Sequence, residues 1–488
     1  MDVVRHKRQK PMNFNKISLV IVFSILLFFL GKNTGIFWDN VLFVSKMGNP
    51  LYTHGLFSWL SIPLESDPGH PPFTAMLMAL SWSLFGKSLF VSHLTMLPFV
   101  VGVLWQLMLL IRFFIEDLKL QLLAFLLVVS DPTLLSQLTL IGPEAILLFF
   151  FLLALNAILR KKRYLKLIAL SFLGIITLRG MMLCGGLFLL DFTLSYQEKG
   201  KHFTIKMIKP YIIASLPAIS YLIWRLMYRG YISSHPLETY GNAWGYASVS
   251  DFMRNFLRNG IVAFQRISDF GRIVPLIFIA YALYTKKERL KSKPVKVLLL
   301  SSILPILIVL VTSLIIKNPM GHRYFIPSYI SLILLSFILL QDFKLKKFLY
   351  LGLMISLLLG NFIVYPDRFA QGWDASLAHL PYWQLRTQAI TYISEEGIAL
   401  KDVGTFFPNY NSIDEIDLNG NKASFSTFSG ENDYVLYSNV FNLTDAEFEL
   451  LSEQYHIIQT FSKRQVRIEL LKKISPTQEA NTANVPLP

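Results

Sequence analysis

The sequence predicts an all-α polytopic membrane protein of about eleven transmembrane helices, with a small C-terminal soluble α/β domain. Three observations carry this reading. Of 488 residues, 53% are hydrophobic and only 16% charged, where an ordinary soluble domain carries about a quarter. Long apolar runs recur, among them Ile17–Gly31, Leu94–Ile111, Ile146–Ile158, Val297–Ile316, Tyr324–Leu340 and Phe348–Val364. Several approach the roughly 20 residues that a bilayer-crossing helix needs. After residue 365 no run of that length recurs, and Asn, Asp, Glu, Gly and Ser take over.

The formal charge of +15 raises the question of nucleic acid, but its placement points elsewhere. Arg5–Lys10, Arg160–Arg163, Lys199–Lys209, Lys286–Lys296 and Lys344–Lys347 each sit beside or between apolar segments. That is the positive-inside pattern, with anionic lipid contact as its corollary, so membrane lipids are expected partners and nucleic acid is not. Cys184 is the only cysteine and lies in an apolar run, which excludes a disulfide framework. The N-terminus has the charge and hydrophobicity of a signal peptide. Phe37-Trp38-Asp39 follows in place of a small-residue cleavage site, so the segment reads as an uncleaved first span.

With the basic clusters in the cytoplasm, the first span opens an outer loop at 32–72. Residues 73–86 are apolar but short, a juxtamembrane helix or a span. Segments 88–114, 118–130, 143–159, 164–178, 181–195 and 207–228 then alternate across the bilayer, with Arg179-Gly180 at an outer turn. A second outer loop covers 229–272. Segments 273–285, 295–316, 324–340 and 347–365 complete a transmembrane domain of 1–365, N-terminus inside and C-terminus outside. Residues 366–474 form the extracytoplasmic α/β domain, with strand-like Val403–Phe407, Tyr434–Ser438 and Val466–Leu471. Between them Thr444, followed three residues later by Glu447, opens a helix to Gln454 with a capping pattern. The polar tail 475–488 is expected to be disordered.

Seven polar residues stand out because this topology puts them all near the outer face: Asp39, His70, Asp131, Glu144, Arg179, His322 and Arg323. Ionisable groups at membrane depth are costly and mark function by default. Each also has a structural reading. Asp39 can cap a juxtamembrane helix, Asp131-Pro132 is a common helix start, and Glu144 after Gly142-Pro143 suits a helix N-terminus. Arg179 and Arg323 can snorkel to headgroups. Carboxylates and cations gathered at one interface suit transfer from an anionic lipid carrier. The second loop combines Tyr231, Tyr240, Trp244 and Tyr246 with Arg254, Arg258, Arg266 and Arg272, a composition for sugar contact or for an interfacial aromatic belt.

Ordered along residues 30–330, these stretches resemble the glycosyltransferase C superfamily, specifically the branch of protein O-mannosyltransferases and the lipid A aminoarabinose transferase. The segments are Trp38-Asp39-Asn40, then His70-Pro71-Pro72-Phe73, then Thr139–Glu144 with its Gly142-Pro143, then Leu178-Arg179-Gly180, and finally His322-Arg323-Tyr324 with Pro327. Asn40 stands where the family has a second acid, His70 where it has a lysine before Pro-Pro, Arg179 where it has the lysine of Lys-Gly, and Glu144 where it has Asp. Arginine keeps the cation in a planar fork suited to phosphate.

The resemblance implies a membrane glycosyltransferase that moves a sugar from a polyprenyl-phosphate carrier to an acceptor hydroxyl, with inversion. Asp39 is the expected base and Glu144 its catalytic companion. Arg179, with His70 and Arg323, is expected to hold the lipid phosphate, and Asn40, Asp131, His322 and Tyr324 are further candidates. No metal-ligand spacing is evident, although some superfamily members use a divalent metal. The acceptor is a protein, lipid or glycan. The carrier would be undecaprenyl phosphate in a bacterial cytoplasmic membrane, with the site facing the periplasm. The alternatives are a transporter or flippase of a lipid-linked glycan, and a surface polysaccharide polymerase or ligase.

Overall fold

The computed structural model describes residues 14–199, 205–232, 248, 252–315 and 320–474. The cluster Arg5–Lys10, the loop aromatics Tyr240, Trp244 and Tyr246, and the tail 475–488 lie outside the described residues. Apolar helices dominate: α1 (Phe14–Gly31), α2 (Met47–His54), α3 (Phe73–Phe85), α4 (Leu89–Phe114), α5 (Leu118–Val129), α6 (Pro132–Thr139), α7 (Pro143–Leu159), α8 (Arg163–Gly174), α9 (Leu178–Lys199) and α10 (Ile205–Arg229) come first. They are followed by α11 (Phe252–Ser268), α12 (Ile273–Thr285), α13 (Lys293–Ile315), α14 (Ile326–Leu340) and α15 (Lys346–Gly360). The chain is a multi-pass membrane protein.

The helices are less uniform than hydropathy predicts. Among the described residues five are long and apolar enough to cross a membrane, or up to seven if each of two bent pairs is one span. One pair is α5 with α6, bent by 74°; the other is α11 with α12, bent by 96°. Asp131-Pro132 makes the first bend, since Asp131 accepts the Leu134 N–H at 2.9 Å as a helix cap and proline suits the first helical position. The expected outer loop 229–272 is corrected by α11, a helix with an exposed apolar side (Met253, Leu257, Ile261, Phe264). The expected turn at Arg179-Gly180 is also corrected: both residues lie in the first turn of α9. A Cβ on Gly180 would come within 2.1 Å of the Leu173 carbonyl oxygen, so glycine lets α9 start tightly against α8. The undecided segment 73–86 becomes α3, a helix of 13 residues.

Beyond α15 the chain builds one five-stranded sheet in the order β2-β1-β3-β5-β4. Its strands are β1 (Val403–Thr405), β2 (Ser426–Thr427), β3 (Tyr434–Ser438), β4 (Tyr455–Lys463) and β5 (Val466–Lys473). Strand β1 runs parallel to both β2 and β3, and β3, β5 and β4 are antiparallel. Helix α16 (Pro381–Glu395) packs on β4 and β5, and Thr444 and Glu447 form a capping box on the helix that follows.

This domain is clamped onto the membrane part beside the first outer loop. The Ile36 N–H donates to the Ile416 carbonyl at 2.9 Å, and the Phe37 ring stacks on His379 with centroids 4.8 Å apart. Lys87, in the turn between α3 and α4, reaches Asp414 at 2.7 Å, where Lys422 also arrives at 2.8 Å. Burial alone would raise the Asp414 pKa; the two lysines and the Gly420 N–H instead hold it at about 2. Lys87 is largely buried and Lys422 exposed. Lys87→Ala should therefore cost about 1–3 kcal/mol and lower the apparent Tm of the detergent-solubilised protein. Lys422→Ala should cost about 0–1 kcal/mol; equal effects from the two would contradict this view of the clamp.

Candidate active site

The loop after α1 turns sharply at Trp38, whose φ of +53° is left-handed and uncommon for a bulky residue. A π-helical turn, Leu42–Lys46, follows. Asp39 sits between them, and its side chain is not used as a helix cap. It accepts from Arg323 Nη2 at 2.5 Å.

Arg323 ties three carboxylates together. Its Nη1 donates to Asp374 at 2.9 Å and its Nε lies 3.7 Å from Glu144. Glu144, in the first turn of α7 behind Pro143, is placed at the positive end of that helix. It accepts a short hydrogen bond from Arg179 Nη2. Tyr324 lies against both cations, its ring centroid 4.4 Å from the Arg179 guanidinium and 6.0 Å from that of Arg323. The loop after α1, the N-termini of α7 and α9, the turn before α14, and the linker to the sheet domain thus meet at one point. Asp39, Glu144, Arg179, Arg323 and Tyr324, read from the sequence, are brought together.

Two features are chemically suggestive. Asp39 has 38% of its side-chain surface exposed, against 5% for Glu144 and 14% for Asp374. Of the three carboxylates it is the one a substrate can reach. Arg179 is buried, and its Nε and Nη1 find no hydrogen-bond partner among the described residues. Buried donors normally find partners, so this guanidinium offers unspent hydrogen-bonding capacity to an anion.

Asn40 is almost fully buried against Gly142, where a Cβ would approach its Oδ1 to 2.4 Å. It closes the loop over the start of α7, and the residue that follows Asp39 in the chain adds no charge. His70 lies beside this cluster as a neutral hydrogen-bonding group. Its Nδ1 accepts the Leu178 N–H at 3.2 Å, which holds the turn that carries Arg179. Burial, then the guanidiniums of Arg179, Arg225 and Arg323, push its pKa down to about 3.

Asp131 and His322 do not join the cluster. Asp131 forms a buried pair with Arg272, at 2.6 and 2.9 Å, beneath Tyr329. His322 Nε2 lies 3.0 Å from Asp269, which also accepts from Tyr365. Both residues therefore tie outer segments together.

Three residues were missed by sequence reasoning. Asp374 comes from the linker, where Gly372-Trp373-Asp374 repeats the Trp-Asp dipeptide of residues 38–39, the one available signal. Arg225 grips Asp67 through Nη1 at 3.1 and 3.0 Å and so anchors the loop that ends at His70. Asp269 carries no local signal; only the fold brings it to His322.

Because folded His70 resists protonation while an unfolded histidine titrates near its ordinary 6.5, stability should fall as pH drops from about 6.5 toward 3. Thermal unfolding across that range should show a shallower slope for His70→Gln. An unchanged slope would show that His70 does not contribute.

No protein-family model and no curated protein matches this chain. Among solved structures, the chain is similar to ArnT from Cupriavidus metallidurans bound to undecaprenyl phosphate. The TM-score is 0.53 at 10% identity, over 94% of this chain and 98% of that one. The apo state of the same protein aligns over the same shares with a TM-score of 0.49. At that identity the likeness is one of fold. The helical membrane protein with a small C-terminal α/β domain, predicted from the sequence, has the fold of that structure.

Proposed function

We propose that the chain is a membrane glycosyltransferase that moves a sugar from a polyprenyl-phosphate carrier to an acceptor hydroxyl at the extracytoplasmic face. The observation that carries this reading is the presence in one cluster of a partly exposed carboxylate, Asp39, and a buried guanidinium, Arg179, that has unspent donors. The similarity of fold to a structure holding undecaprenyl phosphate supports it.

In this reading the acceptor oxygen attacks the anomeric carbon while Asp39 takes its proton as general base. The bond from that carbon to the phosphate oxygen breaks, and polyprenyl phosphate leaves with the bonding electrons. Arg179 holds the charge that develops on the leaving oxygen, a task for donors fixed in advance. Arg323 positions Asp39, and Glu144 positions Arg179. His70 holds the Arg179 turn from below and acts without charge. Direct displacement inverts the anomeric configuration, unlike a two-step route through a carboxylate nucleophile. The periplasmic face of a bacterial cytoplasmic membrane is the setting that suits this donor. The acceptor, whether protein, lipid or glycan, would enter from the outer domain's side of Asp39. A divalent metal remains compatible with this scheme, which routes no step through one.

Incubation with polyprenyl-monophosphate-linked and polyprenyl-diphosphate-linked sugars tests the reading. Release of free polyprenyl phosphate from the monophosphate donor is expected; movement of an intact lipid-linked glycan without release would favour a flippase, and use of the diphosphate donor alone a polymerase or ligase. Asp39→Asn should abolish transfer while the protein still inserts and stays monodisperse. Arg179→Lys keeps the charge but loses the fork, and kcat should fall on the order of a hundredfold with Tm nearly unchanged. Near-normal turnover in either variant would remove that residue from its role.

A further inference from the structure

The linker that joins the membrane domain to the sheet domain runs through the site. Trp373 and Ala375 are buried, and the linker is pinned to α6 at Asp374 and Ala375. Thr133 donates to the Ala375 carbonyl at 2.9 Å. Gln137 Nε2 donates to the Asp374 carbonyl at 3.0 Å and to its Oδ2 at 2.9 Å. The same Oδ2 accepts from Arg323 Nη1 at 2.9 Å. Asp374 is therefore fixed by α6 before it meets Arg323.

Arg323 has a planar fork with donors on opposite edges. One terminal nitrogen goes to Asp39 and the other to Asp374, with Nε facing Glu144. Without Asp374 the second terminal nitrogen is free to turn onto Asp39 as well, making that contact two-pronged. The charged groups around Asp39 are then Glu144 from α7, Arg179 from α9, Arg323 from the turn before α14 and Asp374 from the linker, with Tyr324 and the imidazoles of His70, His322 and His379 facing the same set. The immediate sum is three carboxylates against two guanidiniums, so Asp374 makes the site one charge more negative than it would otherwise be.

We propose that Asp374 is a positioning residue: by holding one terminal nitrogen of Arg323 it limits the contact with Asp39 to the other, and its charge opposes the residence of a phosphate anion beside Arg179. The outer domain's linker thus sets both how firmly Arg323 grips Asp39 and the ease with which the phosphate product leaves. This rests on the glycosyltransferase reading for its role in turnover, but not for its effect on anion binding.

Two variants move the site in opposite directions. Asp374→Asn removes one negative charge and keeps the Gln137 contacts to the linker. Gln137→Leu removes the neutral donor from Asp374 and leaves that carboxylate to pull harder on Arg323. With undecaprenyl phosphate as probe, binding measured by native mass spectrometry should tighten several-fold in Asp374→Asn and weaken in Gln137→Leu. A merely structural role for Asp374 predicts weaker binding in both. In turnover of a polyprenyl-monophosphate-linked sugar, kcat should fall in Asp374→Asn while its binding of undecaprenyl phosphate tightens, a split that a merely structural role does not produce. Equal or weaker binding by Asp374→Asn, with Gln137→Leu moving the same way, overturns the inference. Opposed shifts in binding without any sugar transfer by the parent protein would sustain it and defeat the proposed function instead.

Discussion

Three carboxylates, Asp39, Glu144 and Asp374, converge on Arg323, and each has lost most or part of its water. Bringing unpaired carboxylates together there would cost several kcal/mol for each ion. Arg323 makes the arrangement tolerable by engaging Asp39 and Asp374 directly and standing 3.7 Å from Glu144. Arg179 completes the neutralisation of Glu144 from the other side. The position of each segment at the site follows from this requirement: the loop after α1, the start of α7, the start of α9 and the linker can approach one another only around these two guanidiniums.

The same constraint explains the second layer. A guanidinium that serves several carboxylates must itself be held still, and the surroundings do this with fixed backbone. His70 accepts a backbone N–H at the start of α9 and so sets the height of Arg179. Arg225 holds Asp67, and through it the loop that delivers His70. Asp131 and Arg272 form a separate buried pair that keeps α6 bent and close, and α6 in turn presents Gln137 to Asp374. The outer domain is then more than a cover. Its linker supplies a carboxylate, and its Asp414 clamp on Lys87 holds it beside the loop of Asp39.

Much of the fold was legible because bilayer physics writes itself into composition. Apolar runs and flanking basic clusters announced the membrane helices, and the change after residue 365 announced the outer domain. The capping box at Thr444 was readable because it is a local interaction between residues three apart. The bend between α11 and α12 was not, since an amphipathic helix lying outside the apolar runs looks like a polar loop to any hydropathy count. Of the site, Asp39, Glu144, Arg179, Arg323 and Tyr324 were legible as polar residues beside apolar runs. Asp374 was not, because it lies in a polar segment where an acid is unremarkable.

By itself the sequence determined the class of protein, the helical segments, the outer domain and a short set of polar residues at one face. Those follow from the free energy of placing each side chain in lipid or water, which depends on local composition. The tertiary structure alone decided which of those residues meet. It sent Asp131 to Arg272 and His322 to Asp269, brought Asp374 to Arg323 across 51 residues, and left two Arg179 nitrogens without partners among the described residues. Charge pairing acts over a few ångströms in space with no regard for distance along the chain. The loop that opens with Trp38-Asp39 acquired its chemistry only when later segments closed around it.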